Sequence, residues 1–151
     1  MSKEACLLCD WISVEPPGGW LLDDQYFVMG VAPDFEVPGW YFLAMRRHGE
    51  GPMSMSPAEA GAYGPTLVSC TAAVKEATGA ERVYVIAYGE LYPHWHCLIS
   101  PRGADIPAEL RGPALFSGRS QLIDIQLSIE VAEITRKILR RHRETDMGQP
   151  S

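Results

Sequence analysis

Basic residues are in short supply. Thirteen Lys and Arg against nineteen Asp and Glu leave a net charge of −6, which removes the electrostatic case for general nucleic-acid binding. A small anionic ligand stays possible, because a backbone nest or a helix N-terminus binds phosphate even on an acidic protein. Long apolar runs are missing too, and no stretch approaches the length of a membrane span. The opening residues, Met1-Ser2-Lys3-Glu4-Ala5-Cys6, lack a basic region followed by an apolar run, so no signal peptide is expected. Internal repeats and low-complexity segments are absent. The protein is expected in the cytoplasm, where its four cysteines serve as thiols or metal ligands rather than disulfides. Histidine is scarce as well, with four in the chain, so their positions carry weight.

What is present fits one globular domain. The chain has 151 residues, 46% hydrophobic and 21% charged, enough apolar material for a real core. We expect a single domain over 1–143 and a disordered tail over 144–151.

Two of the histidines sit one residue apart in Tyr92-Pro93-His94-Trp95-His96-Cys97-Leu98-Ile99-Ser100-Pro101-Arg102. Aromatic and branched residues closed by a proline predict a strand. Alternation then puts His94, His96 and Leu98 on one face and Trp95, Cys97 and Ile99 on the other. The second set suits a core. The first suits a site.

Elsewhere the chain alternates short strands with two helices. Residues 20–22 and 25–31 read as a hairpin turning at Asp23-Asp24, and 40–45 is the most apolar strand, followed by Arg46-Arg47-His48. Ser56-Pro57-Ala58-Glu59 combines an N-cap, a first-turn proline and a capping box. It predicts a helix ending at Gly79 and kinked or broken at Gly64-Pro65. Residues 81–89 form the next strand. The loop after Arg102 is a surface connection or a cover for the site. A last helix over about 123–142 carries Leu127, Val131, Ile134 and Ile138 on one stripe. The cations at its end suit the helix dipole.

Cys6-x-x-Cys9 taken alone is a metal knuckle, a redox pair or a coincidence. A place so near the terminus does not suit the redox reading. With His48 and His94 the pair would complete a tetrahedral zinc site, closed and therefore structural. His96 is then the free imidazole, a base, ligand or nucleophile, or else a hydrogen-bonded structural residue.

The pattern Pro93-His94-Trp95-His96-Cys97-Leu98-Ile99, with Cys6-x-x-Cys9, Pro38-Gly39 and Arg46-Arg47-His48, resembles the histidine triad superfamily of nucleotide hydrolases and transferases. The proline before His94 and the C-x-x-C are most similar to its hexose-1-phosphate uridylyltransferase branch. The resemblance implies an α+β fold, a five-stranded antiparallel sheet with one long kinked helix and a C-terminal helix. It implies structural zinc on Cys6, Cys9, His48 and His94, and His96 as the nucleophile of a nucleotidyl-histidine intermediate. It also implies a homodimer.

The chain departs from the family where phosphate and ribose are held. Leu98 stands where the third histidine belongs and cannot donate a hydrogen bond. Gly89-Glu90-Leu91 replaces Gly-Gln-Ser/Thr, and Ala32 occupies the ribose-binding position, with Asp34 a nearby substitute. Asp34, Glu90 and Leu98 are therefore the candidate substrate contacts. The expected function is hydrolysis or transfer at the α-phosphate of a nucleotide conjugate, by default a dinucleoside polyphosphate. The alternative is a zinc-stabilised nucleotide-binding or scaffold protein with little turnover.

Overall fold

Local signals set the longest element first. In the computed structural model, which describes residues 6–147, helix α2 runs Pro57–Thr78. Its N-terminus is closed by the expected capping box, Ser56 accepting from the Glu59 amide and Glu59 from the Ser56 amide. Its end is set by Gly79 in the left-handed conformation, φ 64°. The helix is continuous across Gly64-Pro65. Pro65 removes one backbone donor, but the cap and the packed face on either side hold the element together. The other helices are α1 (Leu7–Ile12), α3 (Pro113–Ser117) and α4 (Ile125–Met147).

Five strands form one antiparallel sheet: β1 (Leu22–Asp23), β2 (Phe27–Gly30), β3 (Tyr41–Met45), β4 (Arg82–Ile86) and β5 (His96–Arg102). The order is β1-β2-β3-β5-β4, so β4 is an edge. The β1–β2 turn is fastened by Asp24, whose carboxylate accepts the amides of Tyr26 and Phe27. The apolar run of β3 is central and wholly buried, as its composition predicts. On one face Tyr41, Leu43, Cys97 and Ile99 pack on Cys70, Ala73 and Val74 of α2 and on Ala132 and Leu139 of α4. On the other, Val28, Phe42, Ala44 and Leu98 meet Cys6, Leu8, Trp40 and Leu115.

Two expectations change. The buried face of α4 is Ser128, Ala132, Thr135 and Leu139, while Leu127 and Ile134 are 45% and 49% exposed. Small side chains let α4 pack closely along α2, and Thr135 hydrogen-bonds the buried Tyr41 hydroxyl of the sheet at 3.0 Å. Burial pushes that phenol up to about 12. The helix also continues through 144–147, residues assigned from sequence to the tail. The remaining tail residues, 148–151, lie outside the described residues.

Glu59 does more than cap. Its carboxylate, 5% exposed, accepts from Arg47 Nε at 3.0 Å and Nη2 at 2.7 Å. Arg47 also reaches the carbonyls of His48 and Ser54, so α2 holds the segment carrying His48. The Arg47 hydrogen bonds bring the Glu59 pKa down to about 2. A depressed carboxyl stabilises the fold above its unfolded pKa and loses that contribution as pH falls toward the folded value. We predict that Glu59→Gln lowers stability at pH 7 by about 2 kcal/mol, an amount discounted for the half-exposed Arg47. The gap from wild type should close between about pH 5 and pH 2. Denaturant titrations of both proteins across that window check it, and a gap independent of pH would contradict it.

Candidate functional site

The short helix α1 brings the two cysteines to one side of a turn. Cys6 is its N-cap, with extended backbone, and Cys9 lies three residues on. The histidines come from neighbouring strands: His48 lies just beyond β3 and His94 just before β5. Because β3 and β5 are antiparallel with Ala44 opposite His96, those two ends lie together. Their rings meet edge-on at 5.3 Å.

The four ligand atoms all lie within 4.8 Å of one another. Cys6 Sγ is 3.6 Å from His94 Nδ1, Cys9 Sγ is 3.4 Å from the same nitrogen, and Cys9 Sγ is 3.5 Å from His48 Nδ1. Zn–S and Zn–N bonds of about 2.3 and 2.1 Å in a tetrahedron space their donors by roughly 3.6 Å. His94 Nε2 donates to the Met45 carbonyl at 2.6 Å. That bond fixes the tautomer and leaves the Nδ1 lone pair toward the sulfurs. Burial lowers the His94 pKa, favouring the neutral ring a metal requires. Two sulfurs and two nitrogens fit structural zinc, and four protein ligands leave no open position.

The same geometry corrects the strand assignment. β5 begins at His96, not at Tyr92. His94 lies in a bend and is fully buried at the metal cluster, its amide bonded to the Tyr92 carbonyl at 2.8 Å. Residues 92–95 leave strand geometry so that Trp95 can bond the Gly49 carbonyl and His94 can turn inward. Trp95, Cys97 and Ile99 do enter the core.

His96 sits at the foot of a separate cavity of about 240 Å³. Its Nδ1 donates to the His94 carbonyl at 2.7 Å, so Nε2 carries the lone pair. Burial lowers its pKa also. Phe42 lies 5.1 Å and Tyr92 6.1 Å from the imidazole, ring centre to ring centre. Phe35 packs on Phe42 at 4.8 Å and on Phe116 at 5.9 Å. Arg119 lies over the rings of Phe35 and Phe116 at 4.4 and 5.0 Å, tying the 32–38 loop to α3. No Lys or Arg lines the cavity.

Of the predicted contacts, Glu90 and Leu98 line the cavity and Asp34 does not. Leu98 is also core, 3% exposed against the second apolar cluster. Asp34 adopts a left-handed backbone, φ 63°, on the exposed loop beside Phe35. Phe35, Phe42, Tyr88 and Phe116 are wall residues that sequence reasoning missed. The loop after Arg102 does cover the site, through Phe116, but nothing in its sequence singles out that ring.

No family model and no curated protein matches the chain by sequence. Solved structures do match by shape. A hypothetical histidine triad nucleotide-binding protein from Sulfolobus tokodaii is similar with a TM-score of 0.73 at 14% identity, covering 97% of this chain and 99% of that one. A zinc-bound histidine triad family protein from Mycobacterium smegmatis is similar at 0.67 and 14%, covering 95% and 99%. A uridylyltransferase gives 0.67 at 16%, covering 91% of this chain and 46% of that longer one. The order of the sheet, the long capped helix and these likenesses agree: the chain has the histidine triad fold.

Proposed function

We propose that the protein binds a nucleotide conjugate and that His96 attacks its α-phosphorus. The observation that carries this reading is the fixed imidazole, bonded through Nδ1 to a backbone carbonyl while Nε2 keeps its lone pair beside an aromatic cavity. The fold of nucleotide-binding and nucleotidyl-transferring proteins supports it. The Nε2 lone pair forms the N–P bond as the P–O bond to the leaving group breaks with its electron pair. Water or another acceptor then attacks phosphorus, the N–P bond returns its pair to His96, and the acceptor's proton passes to solvent. Zinc, when bound, supplies structure and no step.

Leu98 selects among leaving groups. A phosphate, sugar phosphate or second nucleotide departs with low basicity and needs little help, whereas an amine must be protonated on departure. Phosphoanhydrides are therefore favoured over phosphoramidates, with dinucleoside polyphosphates the default. The second reading, a zinc-stabilised nucleotide binder with little turnover, is favoured by the buried leucine at the third triad position. Intact-protein mass spectrometry after brief incubation with dinucleoside polyphosphates, nucleotide sugars and phosphoramidates separates them. A nucleotidyl adduct on wild type, absent from His96→Ala, supports the first; no adduct and no product from any class supports the second.

We infer further a cytoplasmic homodimer. Reduced thiols suit zinc ligation in that compartment, and no described helix is long and apolar enough to cross a membrane. The edge strand β4 and helix α2 flank a groove in which Val68 and Val85 are 67% and 43% exposed. Pairing of β4 with its copy would extend the sheet and cover both valines. Light scattering should give twice the chain mass for wild type and the chain mass for Val68→Asp/Val85→Asp, with zinc retained in both. A wild-type monomer at working concentration would refute the dimer.

A further inference from the structure

Phosphorus chemistry needs donors aimed at the oxygens on which charge builds, and the third triad position supplies none. Within the cavity the side-chain donors other than His96 are Tyr88 and Tyr92; Glu90, an acceptor when ionised, would repel a phosphate. The two tyrosines differ in placement. Tyr88 is mostly exposed and packs on Phe116 at 6.1 Å. Tyr92 is half-buried and stands edge-on to His96 itself.

Tyr92 is also held. Its carbonyl accepts the His94 amide at 2.8 Å, His94 is buried in the metal cluster, and Pro93 stiffens the link between them. The segment that carries the ligand His94 thus fixes the backbone from which the phenol ring projects against His96. Its hydroxyl has no hydrogen-bond partner among the described residues. A phenol that lines the same cavity, its ring centre 6.1 Å from that of the imidazole and its hydroxyl without a protein partner, leaves a donor for the departing oxygen.

We propose that Tyr92 takes over from Leu98 as the leaving-group donor, its hydroxyl hydrogen-bonding the oxygen that departs from phosphorus when His96 attacks. The role rests on His96 being the nucleophile. The P–O pair moves onto the leaving oxygen while the phenolic proton stays on Tyr92, so the hydroxyl donates without transferring a proton. The benefit grows with the charge that collects on that oxygen, and so with its basicity.

The test is Tyr92→Phe, which removes one oxygen and keeps the ring. Turnover is measured with nucleoside 5′-phosphate esters of substituted phenols spanning a range of leaving-group basicity. The expected loss in kcat is about tenfold for the best leaving groups and about 10²- to 10³-fold for the poorest, the range for losing one donor to a charged transition state. KM, zinc content and melting temperature should change little. Tyr92→His, which restores an N–H donor, should recover part of the loss, and Tyr88→Phe should leave the leaving-group dependence unchanged. A uniform loss across the series, no loss, or a steepened series in Tyr88→Phe instead would each overturn the assignment. Wild-type protein that gives neither adduct nor product would overturn the nucleophile reading and this role together. Wild type that turns over through an adduct, with Tyr92→Phe its equal, would overturn this role alone. Should Tyr92→Phe lose zinc, the series is run on Tyr92→His against wild type, where a leaving-group dependence steeper than wild type supports the donor and a wild-type dependence removes it.

Discussion

Cys9→Ala is expected to lose the metal and most of the stability of the fold together. Cys9 faces both imidazoles, at 3.5 and 3.4 Å, so its removal leaves three donors around a site built for four. Structural zinc in small domains contributes on the order of 10 kcal/mol of apparent binding free energy, and without a preformed site in the unfolded chain that energy is folding energy. Even partial loss approaches the typical total stability of a domain. The damage should spread beyond the N-terminus. Cys6 and Leu8 are part of the core on the cavity side of the sheet, and the His94 carbonyl is the anchor of His96. Purified wild type should carry about one zinc per chain, and the variant under a tenth of that. Its thermal transition should fall by tens of degrees or broaden past measurement. Chelation of the wild type should reproduce the effect. Equal melting of metal-free and metal-loaded protein would remove zinc from the account of the fold.

The parts of this molecule that were legible in the sequence are those written locally. Ser56, Pro57, Glu59 and Gly79 mark the ends of α2 because caps and left-handed turns are decided within four residues. The alternation of Trp95, Cys97 and Ile99 was legible for the same reason. The metal cluster was only half legible. Cys6 and Cys9 announce themselves by spacing, but pairing them with His48 and His94 depends on β3 and β5 being neighbours, which family resemblance supplied and residue counting did not. The buried face of α4 was hidden because Ser128, Ala132 and Thr135 are small rather than apolar; close packing selects size, and hydropathy does not report it. The walls of the cavity were hidden more deeply. Phe35, Phe42 and Phe116 come from a loop, a strand and a short helix that only the folded chain assembles.

His96→Ala is expected to abolish turnover while leaving zinc and fold in place, and the separation of those effects is the point of the experiment. The residue is one step from the metal cluster yet contributes no ligand to it. Its Nδ1 bond to the His94 carbonyl is one neutral hydrogen bond, worth about 1 kcal/mol net. Its ring packs on Phe42 and Tyr92 at the edge of the core rather than within it. The variant should therefore lose about 1–2 kcal/mol of stability, the bond plus a little packing. Catalysis should fall by at least about 10³-fold, because removing a nucleophile leaves only binding and any direct attack by water. His96→Asn sharpens the comparison. Its amide can still donate to the His94 carbonyl, so stability should recover toward wild type, while the nucleophilic nitrogen remains absent and turnover stays lost. Metal analysis, thermal unfolding and a steady-state assay on the three proteins suffice. If both variants turned over at wild-type rates, the imidazole would be a structural residue, and the aromatic cavity beside it a binding site without covalent chemistry.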